Sequence, residues 1–445
     1  MGQTSLFPDM PGVEEGKLIG PTSPQDARVV RPVRNQIQFL MQDLDATLPE
    51  DHQARVIWDF LDRLDLSAFY GSIQAVQGGP GRPASDPQVL LALWVYATVE
   101  GVGSARKLAR LCQEHDAYRW LCGGVPVDYH LLSDFRREHQ EALDELLTQI
   151  VATLMAQGLV TLAEVAQDGM RVRASAGQSS FRREKSLKVC LEKAQEQVAR
   201  LAKEREHPDP GVTHRERVAK ERAARERLER VEQALTQLPQ VQAVKERQKR
   251  KAGKKRADKV REARVSTTDP EARVMKMPDG GFRPAYNVQL ATDVGSQVIV
   301  GVEVINRGTD QGEALAVEEQ VAQRAGRHPE AYLTDGGFVD LQDITTLERR
   351  GVRVYAPPKE READQGVRWK PGTTPEVLAW RERMGTEEGQ TIYQHRFPTA
   401  EGVNGQAREK YGMQHFKVRS VAKVTCMALL MAITHDLLRW IALSG

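Results

Sequence analysis

The sequence predicts a mixed α/β core, interrupted by a long charged helical hairpin and preceded by an all-helical region. Three observations predict it. On both sides of Asp293-Val-Gly-Ser296, from Tyr286 to Thr292 and from Gln297 to Ile305, apolar and polar residues alternate, as in two strands joined by a tight turn. From Thr309 to Ala356, helical and strand patterns alternate, the order that builds a sheet with helices packed on it. From Phe181 to Arg264 there is scarcely an aromatic residue and charge is dense, a composition suited to solvated helices.

A chain of 445 residues is long for one domain, and 40% hydrophobic residues suffice for a real core. Charged residues make up 28%, yet the net charge is only +2, so the distribution of charge says more about partners than its total. Cys112, Cys122, Cys190 and Cys426 lie far apart with no C-x-x-C, which argues against a zinc site or a disulfide framework and fits a reducing compartment. The first residues, Met1-Gly-Gln-Thr-Ser-Leu-Phe-Pro, lack a basic-then-apolar targeting pattern. The apolar run Val424 to Ile433 falls short of the roughly 20 residues that span a bilayer, so a core helix is expected and no membrane partner.

Taken in order, residues 1–34 read as a loose leader rich in Gly, Pro and acids. Residues 35–150 are helical in pattern: Leu40, Leu44 and Leu48 recur at fours, and Val56, Phe60, Leu61 and Leu64 give a second apolar face. Ser85 or Asp86 is placed to cap a helix with Pro87 in its first turn, and Ser104 to cap Ala105 to Glu114. A further helix is expected near Leu132. Arg82, Arg106 and Arg136 in this region could neutralise phosphates or read bases; an ordinary solvated face is the rival reading.

Residues 155–178 hold an expected strand, from Leu159 onward, that ends in Asp168-Gly169 and is followed by Arg171 and Arg173. Residues 179–264 then form the charged insertion. Leu187, Leu191, Val198 and Leu201 make one seam, Leu228, Val231, Leu235 and Leu238 another, and His207-Pro-Asp-Pro-Gly211 turns between them. The second arm ends in the basic run Lys245 to Arg256, whose natural partner is nucleic acid, with a helical spacer or dimerisation arm as the alternative. Residues 265–445 resume the α/β pattern: the hairpin, a helix capped by Thr309 or Asp310, the strand Ala331 to Thr334, a helix from Leu341, the strand Val352 to Ala356, a polar stretch with a helix near Val377 to Met384, and two closing helices, the last from Val421 to Leu443.

Asp168 and Asp335 are both expected at the ends of apolar strands and both precede glycine. Carboxyl ends of strands favour ligands and catalytic groups, and glycine leaves room for close approach. A third acid on a helix would complete an oxygen site for Mg²⁺, and two such ions about 3.5–4 Å apart serve phosphoryl chemistry. Glu401 and Glu409 are both candidates. Arg408 lies on the helical face of Glu401, where carboxylate and cation would face one phosphate. Asp293 is a rival acid, but its place in a turn needs no function.

These residues resemble a family. Asp168-Gly-Met-Arg-Val-Arg-Ala174, Thr334-Asp335-Gly-Gly-Phe338, and Tyr393-Gln-His-Arg396 followed by Glu401-Gly-Val-Asn-Gly-Gln-Ala-Arg408 are similar to the three acidic blocks of bacterial insertion-sequence DDE transposases. Ser266-Thr-Thr-Asp269-Pro, Tyr286-Asn-Val-Gln289 and Phe416-Lys-Val-Arg419 with Lys423 add to the resemblance, as do Gly81-Arg-Pro83, Asp86-Pro87, Ser104-Ala-Arg106, Arg119-Trp-Leu121 and Ser133-Asp-Phe-Arg136 in the helical region. Met170 stands where the family often has a hydroxyl residue, and the gap from Arg396 to Glu401 is one residue longer than the commonest.

The resemblance implies an RNase H-like core with an InsH-type helical domain before it. It implies that Asp168, Asp335 and Glu401 (rather than Glu409) hold two Mg²⁺ ions, or Mn²⁺, for strand cleavage at element ends and strand transfer into target DNA. It implies contacts to double-stranded DNA, terminal inverted repeats and target alike, from Arg171, Arg173, Tyr393, Arg396, Arg408, Lys417, Arg419 and Lys423. A homodimer in the DNA complex and a bacterial cytoplasmic, nucleoid-associated location are also implied. The rival expectations are an inactive DNA-binding derivative and a basic coiled-coil scaffold or RNA-binding protein.

Overall fold

The structure, a computed structural model, describes residues 43–71, 73, 83–206, 211–252, 260, 262–358 and 373–444. The expected leader, Arg82, the turn at 207–210 and the 253–256 end of the basic run lie outside these residues. Leu44–Gly445 form one compact unit.

Among the described residues, a 3-10 turn (Asp45–Thr47) is followed by α1 (Gln53–Leu61), α2 (Ser67–Tyr70), α3 (Pro87–Val99), α4 (Ala105–Glu114), α5 (Asp116–Cys122), α6 (Tyr129–Glu138) and α7 (Gln140–Ala156). Side-chain caps define several starts. The Asp86 carboxylate accepts from the Gln88 amide at 2.9 Å, with Pro87 in the first turn, and Ser104 accepts from Lys107 at 3.4 Å. Asp128 accepts from His130 and Leu131, so α6 begins at Tyr129, earlier than the expected Leu132. Helix α3 is buried all round, as its unbroken apolar sequence requires.

Strand β1 (Glu164–Arg173) follows, then the short β2 (Phe181–Arg182) and two long antiparallel arms, α8 (Glu184–Glu206) and α9 (His214–Ala252). The second arm opens on a reciprocal cap: Thr213 accepts from the Glu216 amide and Glu216 from the Thr213 amide at 3.0 Å. The arms close on small residues as much as on leucines. Leu187, Ala194, Ala224, Val231, Ala234 and Leu238 are buried between them, while Leu191, Val198 and Leu201 are only half-buried.

The chain returns as β3 (Val265–Ser266), β4 (Arg273–Lys276), β5 (Phe282–Asp293), β6 (Ile299–Ile305), α10 (Ala314–Ala325), β7 (Ala331–Leu333), α11 (Leu341–Arg349), β8 (Arg353–Tyr355), α12 (Pro375–Met384), α13 (Glu387–Gln394), a π turn (Phe397–Glu401), α14 (Gly402–Glu409) and α15 (Val421–Ser444). The hairpin expected around Asp293 is β5 and β6. Asp293 serves the turn: its oxygens accept from the Leu162 and Ser296 amides and the Ser296 hydroxyl at 2.7–2.9 Å.

Among the described residues the main sheet has six strands. Its path is β4-β5-β1-β7-β8, with β6 also paired to β5. Antiparallel pairing joins β1, β5 and β6, and parallel pairing joins β1, β7 and β8. Helix α10 lies close on one face: a Cβ at Gly301 would meet Val321 at 3.0 Å and Val317 at 3.2 Å, so a side chain there would press the helix back by a few tenths of an ångström. The N-terminal helices and the sheet share one continuous apolar core.

Helix α15 matches the closing helix expected from Val421 to Leu443 to within one residue. Its 24 residues are long and apolar enough to cross a membrane by length and composition alone. The helix instead packs on β6, α3 and α7, with Val424 to Leu437 largely buried. The polar trio that broke the apolar run is matched to partners. Thr434 donates to Leu430 O at 2.7 Å, His435 Nε2 meets Gln297 O at 2.8 Å, and Asp436 accepts from the Ile299 amide at 2.8 Å.

Burial drives the Asp436 carboxyl well above the usual carboxylate range, and its second oxygen has no hydrogen-bond partner. A folded-state pKa above the unfolded value costs nothing below the unfolded value and costs stability as pH rises past it. Asp436→Asn keeps the acceptor for Ile299. It should raise Tm by a few degrees at about pH 8, with the gain disappearing toward about pH 3, in thermal melts followed by circular dichroism.

Candidate active site

Asp168 lies in the middle of β1, not at a strand end as expected, because β1 continues its antiparallel pairing with β5 through Arg173. Asp335 does follow the end of its strand, two residues beyond Leu333. The parallel register pairs Ala166 with Leu333. Continued by two residues, it sets Asp335 level with Asp168 on the neighbouring strand. The two carboxylates lie close enough to influence each other.

The segment carrying the third expected acid packs against the same place. The π turn rests on β1 and β5. Just before it, Arg396 pairs with Asp168 at 3.0 Å. Just after it, the Asn404 amide donates to Asp168 Oδ2 at 2.9 Å. The Gly169 amide donates to Oδ1 at 2.9 Å. Asp335 accepts from the Gly337 amide at 2.7 Å, which folds its loop tightly. Burial pushes the Asp168 carboxyl above the usual carboxylate range; Arg396 and the Gly169 amide oppose that, and Asp335 adds to it. Tyr393 is half-buried beside Arg396, its hydroxyl pushed up by burial and by both aspartates.

Glu401 closes the π turn and is exposed, three residues and so about one helical turn from Asn404. Among the described residues, no group of three or more His, Cys, Asp or Glu is gathered as a metal-holding set. The donor chemistry nevertheless suits a hard cation. The groups are carboxylate and amide oxygens, and the 5%-exposed Asn404 has a side-chain oxygen with no partner.

The other expected contacts fall in different places. Arg171 and Gly169 alternate with Asp168, so they face the opposite side of the sheet. There Arg171 pairs with Asp310 at 3.2 Å and donates to Lys276 O and Gly308 O. Arg136 is buried, donating to Gly103 O at 2.8 Å with its guanidinium 4.4 Å above the Trp94 ring, so it is a packing residue and not presented to a nucleic acid. Arg106 stacks on Tyr129 at 5.2 Å. Arg173, Lys417 and Arg419 are exposed, and Lys423 and Arg408 half-exposed. His415 bridges to Arg173 and lies 3.2 Å from the Lys417 ammonium, which puts Arg173 and Lys417 beside one another; by the same alternation Arg173 shares the face of Arg171, not that of Asp168.

A polar layer behind Asp168 escaped the sequence reading. Asp310, expected as a helix cap, instead accepts from Asn287 at 2.6 Å and Gln289 at 2.8 Å as well as pairing with Arg171. Gln289 accepts in turn from Gln167 at 3.0 Å, and Gln167 from the Tyr332 hydroxyl at 2.8 Å. The signal was the Tyr286-Asn-Val-Gln289 block, whose amides alternate onto one face. A Cβ on Gly169 would run into Asp310, Gln289 at 2.6 Å and Asn287 at 2.9 Å. Gly169→Ala should therefore cost about 1–3 kcal/mol by overpacking, read as a lower urea midpoint.

The site thus sets one acid within a strand of a mixed α/β sheet and another just past the end of the neighbouring strand, with an arginine and an amide from a distant segment held on the first. Two stretches of the chain match models of known families. Residues 42–138 match a transposase domain (DUF772), and residues 359–441, which include Arg396, Glu401 and Asn404, match a transposase DDE domain. Together they support an insertion-sequence DDE transposase, a protein that acts on DNA. No curated protein and no solved structure matches the chain.

Proposed function

We propose that this transposase cleaves DNA strands at the ends of its element and joins them to target DNA, using an RNase H-like core. The observation that carries this is the meeting of Asp168, Asp335 and the Arg396–Asn404 segment, drawn from three distant parts of the chain. Asp168, Asp335 and Glu401 would hold two Mg²⁺ or Mn²⁺ ions, which when bound supply Lewis acidity at the scissile phosphate and at the attacking hydroxyl. Bringing in Glu401 requires its turn of helix to move or rotate toward the aspartates.

The chain's own residues do the rest. Water, and later a freed 3′-hydroxyl of DNA, attacks the phosphodiester, and the bond to the leaving oxygen breaks. Arg396, already at Asp168, meets the phosphate there, and Tyr393 borders it. Asn404 and the Gly169 amide hold the Asp168 carboxylate in one orientation. Arg173, Lys417, Arg419 and Lys423, with Arg408, neutralise the duplex backbone, so binding should weaken steeply with salt. The exposed basic end of α9 adds a second grip on flanking or target DNA. Two element ends must meet, so a homodimer in the DNA complex belongs to this reading.

Asp335→Asn removes a ligand charge and little surface. Gel shifts and cleavage on the same preparation, with DNA flanking the gene as probe, should show binding within about twofold of wild type and strand cleavage lost by at least about a hundredfold. Parallel loss of both activities would count against the assignment. Binding without Mg²⁺-dependent nicking in the wild type would favour an inactive derivative.

A further inference from the structure

The block Ser266-Thr-Thr-Asp269-Pro lies outside the Asp168 site, in the loop between β3 and β4 by which the chain leaves the insertion and re-enters the sheet. The Ser266 hydroxyl accepts from the Thr268 and Asp269 amides at 3.1 and 3.0 Å, a turn that tucks Asp269 inward until it is fully buried. Asp269 Oδ1 accepts from the Tyr286 hydroxyl at 2.7 Å and, across 151 positions of sequence, from the Ser420 amide at 3.3 Å. Two residues on, the Glu271 carboxylate accepts from the Val421 amide at 2.6 Å. One loop thus holds two amides at the start of α15, groups that a helix cannot satisfy from within itself. Ser420 between them has a φ of 79°, a left-handed conformation that a serine keeps only where its surroundings fix it.

The segment before Ser420 is fixed at its other end as well. The Phe416 amide donates to Arg173 O at 2.9 Å, and the Phe416 ring meets Tyr286 edge to face, with centroids 6.3 Å apart. Between these anchors Lys417 and Arg419 stand exposed on either side of half-buried Val418, and Lys423 follows in the first turn of α15. Lys417 meets the His415 ring and Arg419 donates to Ser175 O; among the described residues none of the three cations pairs with a carboxylate. Glu226 and Glu229 of α9 influence Lys423 from nearby, but Glu226 is taken by Arg222 at 2.9 Å and Glu229 by Gln233 at 3.3 Å. Asp269 is not needed to attach α15, which the core already buries from Val424 to Leu437. Its second oxygen is buried without a partner, a cost to the fold that points to a role in placing the segment.

We propose that Asp269 and Glu271 are positioning residues for DNA binding: by holding the Ser420–Val421 turn, they keep Lys417, Arg419 and Lys423 set for neighbouring phosphates of one duplex. The inference rests on the transposase reading above. Neither acid touches a phosphate; both act through backbone amides. Released from them, the segment would have to be ordered anew each time DNA binds, which weakens binding without removing a charge from the cations themselves.

The test measures binding of the full chain to a duplex taken from the DNA flanking the gene, by fluorescence anisotropy over a series of salt concentrations, with Ca²⁺ in place of Mg²⁺ to suppress cleavage. The slope of log affinity against log salt counts neutralised phosphates, at about 0.9 for each. Asp269→Ala and Glu271→Ala should each weaken binding about tenfold and lower that slope by about 1–2. Asp269→Asn, which keeps an oxygen for Ser420 and Tyr286, should restore both. A triple variant, Lys417→Gln with Arg419→Gln and Lys423→Gln, should lower the slope directly, and Glu271→Ala added to it should change little more, because the acid acts through those cations. Thermal melts report whether each variant is folded, and half-buried Glu271 carries the test if Asp269→Ala does not fold. An unchanged slope in folded Glu271→Ala, or its full effect repeated on the triple variant, would overturn the proposal and leave the transposase reading standing. So would a wild-type slope indifferent to the three cations. If the wild type binds no DNA, the transposase reading fails and this proposal with it.

Discussion

The double pairing of β1 is the constraint on which the site depends. One edge of the strand runs antiparallel to β5 and the other parallel to β7. Parallel register with β7 sets Asp335 level with Asp168, and antiparallel register with β5 carries β1 far enough to reach the His415 segment. A slip of one residue on either side would turn Asp168 to the opposite face, away from Arg396 and Asn404. The sheet therefore fixes Asp168 directly and Asp335 through a loop only two residues past β7, which suits chemistry that tolerates little misplacement.

Register of this kind needs support from both faces. Behind Asp168, the layer Tyr332–Gln167–Gln289–Asp310–Arg171 runs across β7, β1 and β5, with Asn287 beside it. Its amides are fully buried, and Asp310 accepts from three donors at once. Losing that carboxylate would strand buried donors, a larger cost than losing an exposed bond. Gly169 admits the layer by having no side chain. The glycine after the first acid thus serves the back of the strand. The glycines after Asp335 serve a different end: the Gly337 amide holds the carboxylate and tightens the loop.

What was legible in the sequence follows the range of the interactions. Local signals read well: the Asp86 and Ser104 caps, the hairpin around Asp293, and β7 ending before Asp335 all rest on neighbours within a few residues. Asp168 was misplaced along its strand because Gln167 and Arg171 look like solvent residues, and their partners lie more than a hundred positions away. Asp310 was taken for a cap for the same reason. The final helix was read at nearly its full length although Thr434-His435-Asp436 interrupts its apolar run; what stayed hidden is that His435 and Asp436 find their partners on the distant 297–299 backbone. Asn404 carried no signal of its own beyond standing between Glu401 and Arg408. The family likeness pointed to the three acids; the approach of Asp168 and Asp335 is tertiary.

The central claim is that Asp168, Asp335 and Glu401 gather around divalent cations, although Glu401 stands one turn aside in this arrangement. Fe²⁺ loaded in place of Mg²⁺, with ascorbate and peroxide, cuts the backbone wherever chain lies next to the bound ion. The account predicts three clusters of cuts, near residues 168, 335 and 401, all suppressed by excess Mg²⁺ and by Asp168→Asn. Cuts near 168 and 335 with none near 401, or cuts scattered elsewhere and indifferent to Mg²⁺, would contradict it.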